Sequence, residues 1–148
     1  MLTKIDGKAK TEIPYRDDFD KKTNTLTRTE VDAIIEYISS VAPKCLDSVD
    51  VIPAGWLGSG DWSGTPLQKL YEICGGLDKM PNERQQKRHE QWVQKESAML
   101  FGHFVMLAAI QHQDEWVYNK DPNYVSNGVP IGSNIYWRKI KKFDSSEK

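Results

Sequence analysis

Residues 96–112, ESAMLFGHFVMLAAIQH, constrain this chain more than any other stretch. A surface helix carries one apolar stripe, whereas here apolar side chains occupy most of the helical circumference. Such a segment needs neighbours on nearly every side, so it must lie at the centre of whatever fold forms. Its longest apolar run, FVMLAAI, is too short to cross a bilayer. The preceding residues 82–95, NERQQKRHEQWVQK, have the opposite character, with only Trp92 and Val93 apolar. A single helix over 82–112 would extend about 45 Å, longer than a compact domain of this size is wide. The sequence therefore predicts a break before Ser97, with Ser97 as N-cap.

Other elements can be read around that centre. Val31, Ile34, Ile35, Ile38 and Val41 share one helical face, Thr29 and Asp32 approximate a capping box, and Pro43 closes the helix. Val49, Val51 and Ile52 suit a short strand before Pro53. The loop AGWLGSGDWSGTPLQ (54–68) ends in a helix start at Thr65-Pro66-Leu67-Gln68. Leu67, Leu70, Tyr71 and Cys74 line one side of that helix, and Gly75-Gly76 supplies a left-handed stop. The aromatic and β-branched segments EWVYN (115–119) and NIYWRKI (134–140) flank Asn127-Gly128, the signature of a hairpin in which Pro122 and Pro130 suit distorted or edge positions. Residues 1–25 show no clear period and read as a flexible or surface-draped arm, anchored through Ile13, Tyr15 and Phe19. The expected architecture is a single globular domain over 26–143 with a frayed tail at 144–148. Its class is α+β and helix-rich, with three or four helices and a C-terminal β-hairpin, an outline similar to a winged helix.

The 148 residues carry 20 Lys+Arg against 21 Asp+Glu, a net charge of −1, so any polyanion site must be local. Cys45 and Cys74 are too few for a disulfide framework and lack metal-ligand spacing. The opening MLTKIDGKAK has no apolar leader, and a cytoplasmic location is expected.

The glycine-rich loop invites a phosphate reading, but Gly58, Gly60 and Gly64 give GxGxxxG rather than a dinucleotide fingerprint, and Asp61 would repel an anion. Trp56, Asp61 and Trp62 form an alternative small-ligand site, two flat rings with a polar handle. Packing of both indoles into the core competes with that reading. HEQWV at 89–93 lacks the second histidine of a zinc motif, since Val93 replaces it, and His103 within FGHFVM suits a buried, hydrogen-bonded imidazole. A triad of Cys45 or Ser59 with His103 has no local support, and Asp17, Asp18 and Asp20 cluster on the arm. No catalysis, cofactor or metal is expected.

Two basic stretches remain. Arg84, Lys87, Arg88 and Lys95 decorate the polar helical segment, where Glu83 is placed to pair with Lys87, while Arg138, Lys139, Lys141 and Lys142 follow Trp137. Neighbours on a strand point to opposite sides, so either Tyr136 or Trp137 must face outward or be covered by another element. The expected function is that of a non-catalytic interaction protein, a regulator or inhibitor. It would dock on a protein partner through Tyr136, Trp137 and Arg138 together with Arg84, Lys87, Arg88 and Lys95. Nucleic-acid binding through the same residues is the alternative, the exposed aromatics also allow homo-oligomers, and no membrane contact is expected.

Overall fold

The computed structural model describes residues 1–41, 51–53, 62–120, 123, 125–126, 128–130 and 134–138. Among these the chain is α+β. Four helices, α1 (Arg16–Lys22), α2 (Arg28–Val41), α3 (Gln68–Ile73) and α4 (Glu83–Gln111), accompany a five-stranded sheet. Its strands are β1 (Leu2–Lys4), β2 (Ala9–Lys10), β3 (Val51–Pro53), β4 (Trp116–Lys120) and β7 (Asn134–Arg138), in the order β2-β1-β4-β7-β3. A short ladder of β5 (Val125–Ser126) and β6 (Val129–Pro130) extends beyond β4 and β7.

Helix α4 is continuous over 29 residues, about 44 Å. The break expected before Ser97 does not occur. Ser97 Oγ donates to the carbonyls of Val93 at 2.7 Å and Gln94 at 3.2 Å, so its hydroxyl is satisfied inside the helix instead of capping one. The true cap is Asn82, whose Oδ1 accepts from Gln85 N at 2.8 Å. The length is accommodated because the two halves are solvated differently. Leu100, Phe101, Phe104, Val105, Met106, Leu107 and Ala108 are all buried, whereas most residues of the N-terminal half are exposed. Each large apolar side chain so enclosed contributes about 1.5–3 kcal/mol. The core around them joins Ile34 and Ile38 of α2, Leu67 and Leu70 at α3, Phe19 of α1, and Leu2, Trp116 and Tyr136 of the sheet.

Residues 1–25 enter this core through Leu2, Ile13 and Phe19, while most of the segment is exposed. β1 pairs antiparallel with β2 and parallel with β4, Leu2 is 1% exposed, and Trp116 N donates to Met1 O at 2.7 Å. The α-amino group of Met1 donates to the carbonyls of Ala109 (2.9 Å), Asp114 (3.1 Å) and His112, placing a cation at the C-terminal end of α4. Ile13 and Phe19 are buried anchors as expected, but Tyr15 is 78% exposed and anchors nothing.

The C-terminal hairpin forms as expected, with Trp116 opposite Arg138 and Lys120 opposite Asn134. Ser126 pairs with Val129, and Gly128 has φ +80°, a conformation that glycine adopts without strain. β1 flanks the hairpin along Trp116–Tyr118 and β3 along Ile135–Trp137. Pro53 lies in β3 at the sheet edge, where a missing N–H is tolerated. Pro43, Val49, Pro122, Asn127 and residues 144–148 lie outside the described residues.

Two helix ends are set by specific side chains. Helix α2 is capped by Thr27 and Glu30, not by Thr29 and Asp32. Glu30 N donates to Thr27 Oγ1 at 3.1 Å and Thr27 N to Glu30 Oε1 at 2.9 Å, a reciprocal box two residues earlier than the sequence suggests. Helix α3 ends as expected, with Gly75 at φ +87°, Gly76 N donating to Tyr71 O and Gly75 N to Glu72 O, both at 2.9 Å. At Gly76 a Cβ would sit 2.1 Å from the Tyr71 ring.

Thr27→Ala should therefore lower stability by about 1 kcal/mol in urea unfolding, with Thr29→Ala within a few tenths. Gly76→Ala should cost about 1–3 kcal/mol, and most of that cost should vanish in a Tyr71→Ala background, where the obstructing ring is gone.

Candidate interaction surface

The polar half of α4 is helical on its own account, since Glu, Arg, Gln and Lys are good helix formers and Asn82 caps them. Its inner face is fixed by His89, whose Nε2 meets the Gly75 carbonyl, by buried Val93 and Ser97, and by Glu96, which pairs with Lys22 of α1 at 3.4 Å. At about 100° per residue, Arg84, Arg88, Trp92, Lys95 and Met99 fall within about 80° on the opposite side. Lys87 borders one edge, with Glu83 and Glu90 beyond it. From Arg84 to Met99 the stripe runs about 22 Å along the axis.

Trp92 is 54% and Met99 47% exposed. Arg84, Lys87, Arg88 and Lys95 are all exposed, and among the described residues none has an ion-pair partner; the Glu83–Lys87 pair does not form. Elsewhere Arg16 pairs with Glu12 and Asp20, Lys22 with Asp18 and Glu96, and Lys69 with Glu30, while Lys4, Lys8, Lys10, Lys21 and Lys79 have no ion pair among the described residues either, so what sets the α4 stripe apart is the company of Trp92 and Met99.

The expected contribution of β7 to this surface is corrected by the structure. Tyr136 is 2% exposed and packs into the core with its ring 5.9 Å from that of Tyr118, so it offers nothing to a partner. Burial, and then the neighbouring Tyr118, push its phenol well above the ordinary tyrosine range. Trp137 points to the other face of the sheet, in a row with Thr3 and Val117, and is half-buried. Arg138 is exposed and pairs with Asp114 at 3.5 Å. β1 meets α4 at its C-terminal end, where Ala109 O is 14 residues, about 21 Å, beyond Lys95. The basic helical stripe and the β7 residues thus sit on different parts of the molecule. Lys139, Lys141 and Lys142 lie outside the described residues.

Of the residues behind the chemical alternatives, Trp62 and His103 are described. Trp62 is half-buried with its ring 5.5 Å from Phe101, and its Nε1 is buried with no hydrogen-bond partner among the described residues. Trp56, Asp61, Cys45 and Ser59 lie outside the described residues. His112 packs edge-on against Trp116, and its Nδ1 accepts from Asp114 N at 3.1 Å. Burial, followed by Glu96, raises the Cys74 thiol above its usual range, with Lys22 opposing, so it stays protonated near neutrality. Asp17, Asp18 and Asp20 sit on α1, where Asp18 and Asp20 are ion-paired. Among the described residues no group of three or more His, Cys, Asp or Glu is placed to hold a metal ion, and no helix is long and apolar enough to cross a membrane. Compared with protein-family models, with curated proteins and with solved structures, the chain matches none.

His103 packs edge-on to Phe19, with ring centroids 6.0 Å apart. Burial lowers its pKa first, Lys22 adds to the effect and Asp18 opposes it. The folded state thus binds fewer protons at this ring than the unfolded chain. Its contribution is neutral above the unfolded pKa and turns destabilising as pH falls through and below it. The thermal midpoint should drop between pH 7.5 and 5.5, and His103→Gln should make that drop shallower.

Sequence reasoning named the four cations but missed Trp92 and Met99 as surface groups. Their shared spacing with Arg88 and Lys95 was the available signal.

Proposed function

We propose that this protein is a non-catalytic interaction module that docks on a protein partner through the outward stripe of α4. One observation carries the reading. Two large apolar side chains, Trp92 and Met99, stand half-exposed among cations that have no ion-pair partner among the described residues. Exposed large apolar groups rimmed by polar ones mark binding surfaces, and Trp, Met and Arg are enriched at the centres of protein interfaces. Burying Trp92 against a partner would supply the kind of anchor that dominates such contacts, while the surrounding cations steer the encounter.

A photo-crosslinking residue placed at exposed position 91, beside Trp92, and a second at exposed position 15, tests this in nuclease-treated extract. Position 91 should give a discrete protein adduct that position 15 does not. That adduct should be lost when Arg84, Arg88 and Lys95 are changed to Glu. No adduct, equal adducts at both sites, or adducts seen only before nuclease treatment would overturn the proposal, the last in favour of nucleic acid.

A further inference from the structure

We infer that the partner presents an acidic amphipathic helix to this stripe, an inference that rests on the docking role just proposed. Along α4 the outward residues Arg88, Trp92, Lys95, Met99 and Gly102 are spaced 4, 3, 4 and 3 apart. That is the repeat with which one helix meets another in side-by-side packing, and it lasts for two heptads, about 21 Å. Cationic and apolar positions alternate along the first four places.

Gly102 supplies an independent observation. It lies inside α4, where glycine is among the poorest helix formers. A Cβ built there would meet nothing within 4 Å, so no close packing against the described residues accounts for the missing side chain. The residue continues the outward seam, and what it permits is close approach of another backbone from outside.

Charge selects the occupant. The stripe holds Arg84, Lys87, Arg88 and Lys95 without a carboxylate, so a second copy docking by the same face would bring like charges together. Glu83 and Glu90 border the stripe beyond Lys87, and Glu96, held by Lys22, borders the other side. A broad polyanion such as a nucleic-acid backbone or an anionic bilayer would overlap those carboxylates. A single helix, about 10 Å across, fits between them. Its carboxylates would face Arg88 and Lys95, its larger apolar groups Trp92 and Met99, and a small residue would face Gly102.

The probe is a synthetic helical peptide with Glu facing Arg88 and Lys95, Leu facing Trp92 and Met99, and Ala facing Gly102. Binding is read by fluorescence anisotropy. Controls are the same peptide with Lys replacing Glu, a single-stranded oligonucleotide, and vesicles of phosphatidylserine and phosphatidylcholine. The Glu peptide should bind at least about ten-fold tighter than the Lys peptide and the other probes. Arg88→Glu with Lys95→Glu should remove that preference. Gly102→Gln should weaken binding several-fold while the thermal midpoint of the free protein stays the same or rises. Equal binding of both peptides, preference for the oligonucleotide or vesicles, indifference to Gly102→Gln, or salt-stable dimers lost on Trp92→Ala would overturn the inference. A protein adduct at position 91 combined with failure of the peptide would remove the helix assignment alone. Absence of that adduct would remove the docking role as well.

Discussion

The near-complete enclosure of residues 100–108, of which only Gly102 and His103 keep partial exposure, governs this fold. A helical segment with so little solvent-facing surface cannot end at one packing partner, so α1, α2, α3 and the sheet all contribute to a common core around it. The requirement falls on one half of α4 only. The other half is committed to the core along a single line, through His89, Val93, Glu96 and Ser97. The opposite side is left as a rigid, solvated ridge continuous with the most deeply buried element. A surface mounted this way has its backbone fixed by the core beneath it, which limits the ordering cost of a contact there.

Much of this architecture was legible in local signals. The apolar circumference of the second half of α4, the Gly75-Gly76 stop and the aromatic hairpin strands each follow from residues adjacent in sequence, and each formed. Where the reading went wrong, a distant contact decided the outcome. A break before Ser97 was inferred from a length limit that assumes both halves of the helix share the core, whereas the polar half needs cover on one side only. The box at Thr29 and Asp32 lost to Thr27 and Glu30, where the reciprocal bonds form and Glu30 also meets Lys69 at 3.4 Å. Three-residue β1 carries no readable period, and its pairing with Trp116, Val117 and Tyr118 is invisible to any local window.

The candidate site shows the same division. Strand alternation required Tyr136 and Trp137 to point to opposite sides, but only the packing of Tyr118, Trp116 and Phe104 decides that Tyr136 is the one inside. On α4 the cations were evident as a basic run, while the part played by Trp92, Met99 and Gly102 depends on knowing that Val93 and Ser97 face inward. Once that phase is fixed, the outward seam follows from helical geometry alone.

The parallel pairing of β1 with β4 has a temporal meaning. Thr3 reaches the carbonyl of Trp116 across a sequence separation of 113 residues, and β1 is the link between β2 and the centre of the sheet. During synthesis at about 5–20 residues per second, β1 leaves the ribosome ahead of β4 and waits on the order of ten seconds for this permanent neighbour. The helices can gather in that interval, while the sheet closes only after α4 and the turn beyond it have emerged. β1 is thus made long before its central neighbour and fastened only when that neighbour arrives.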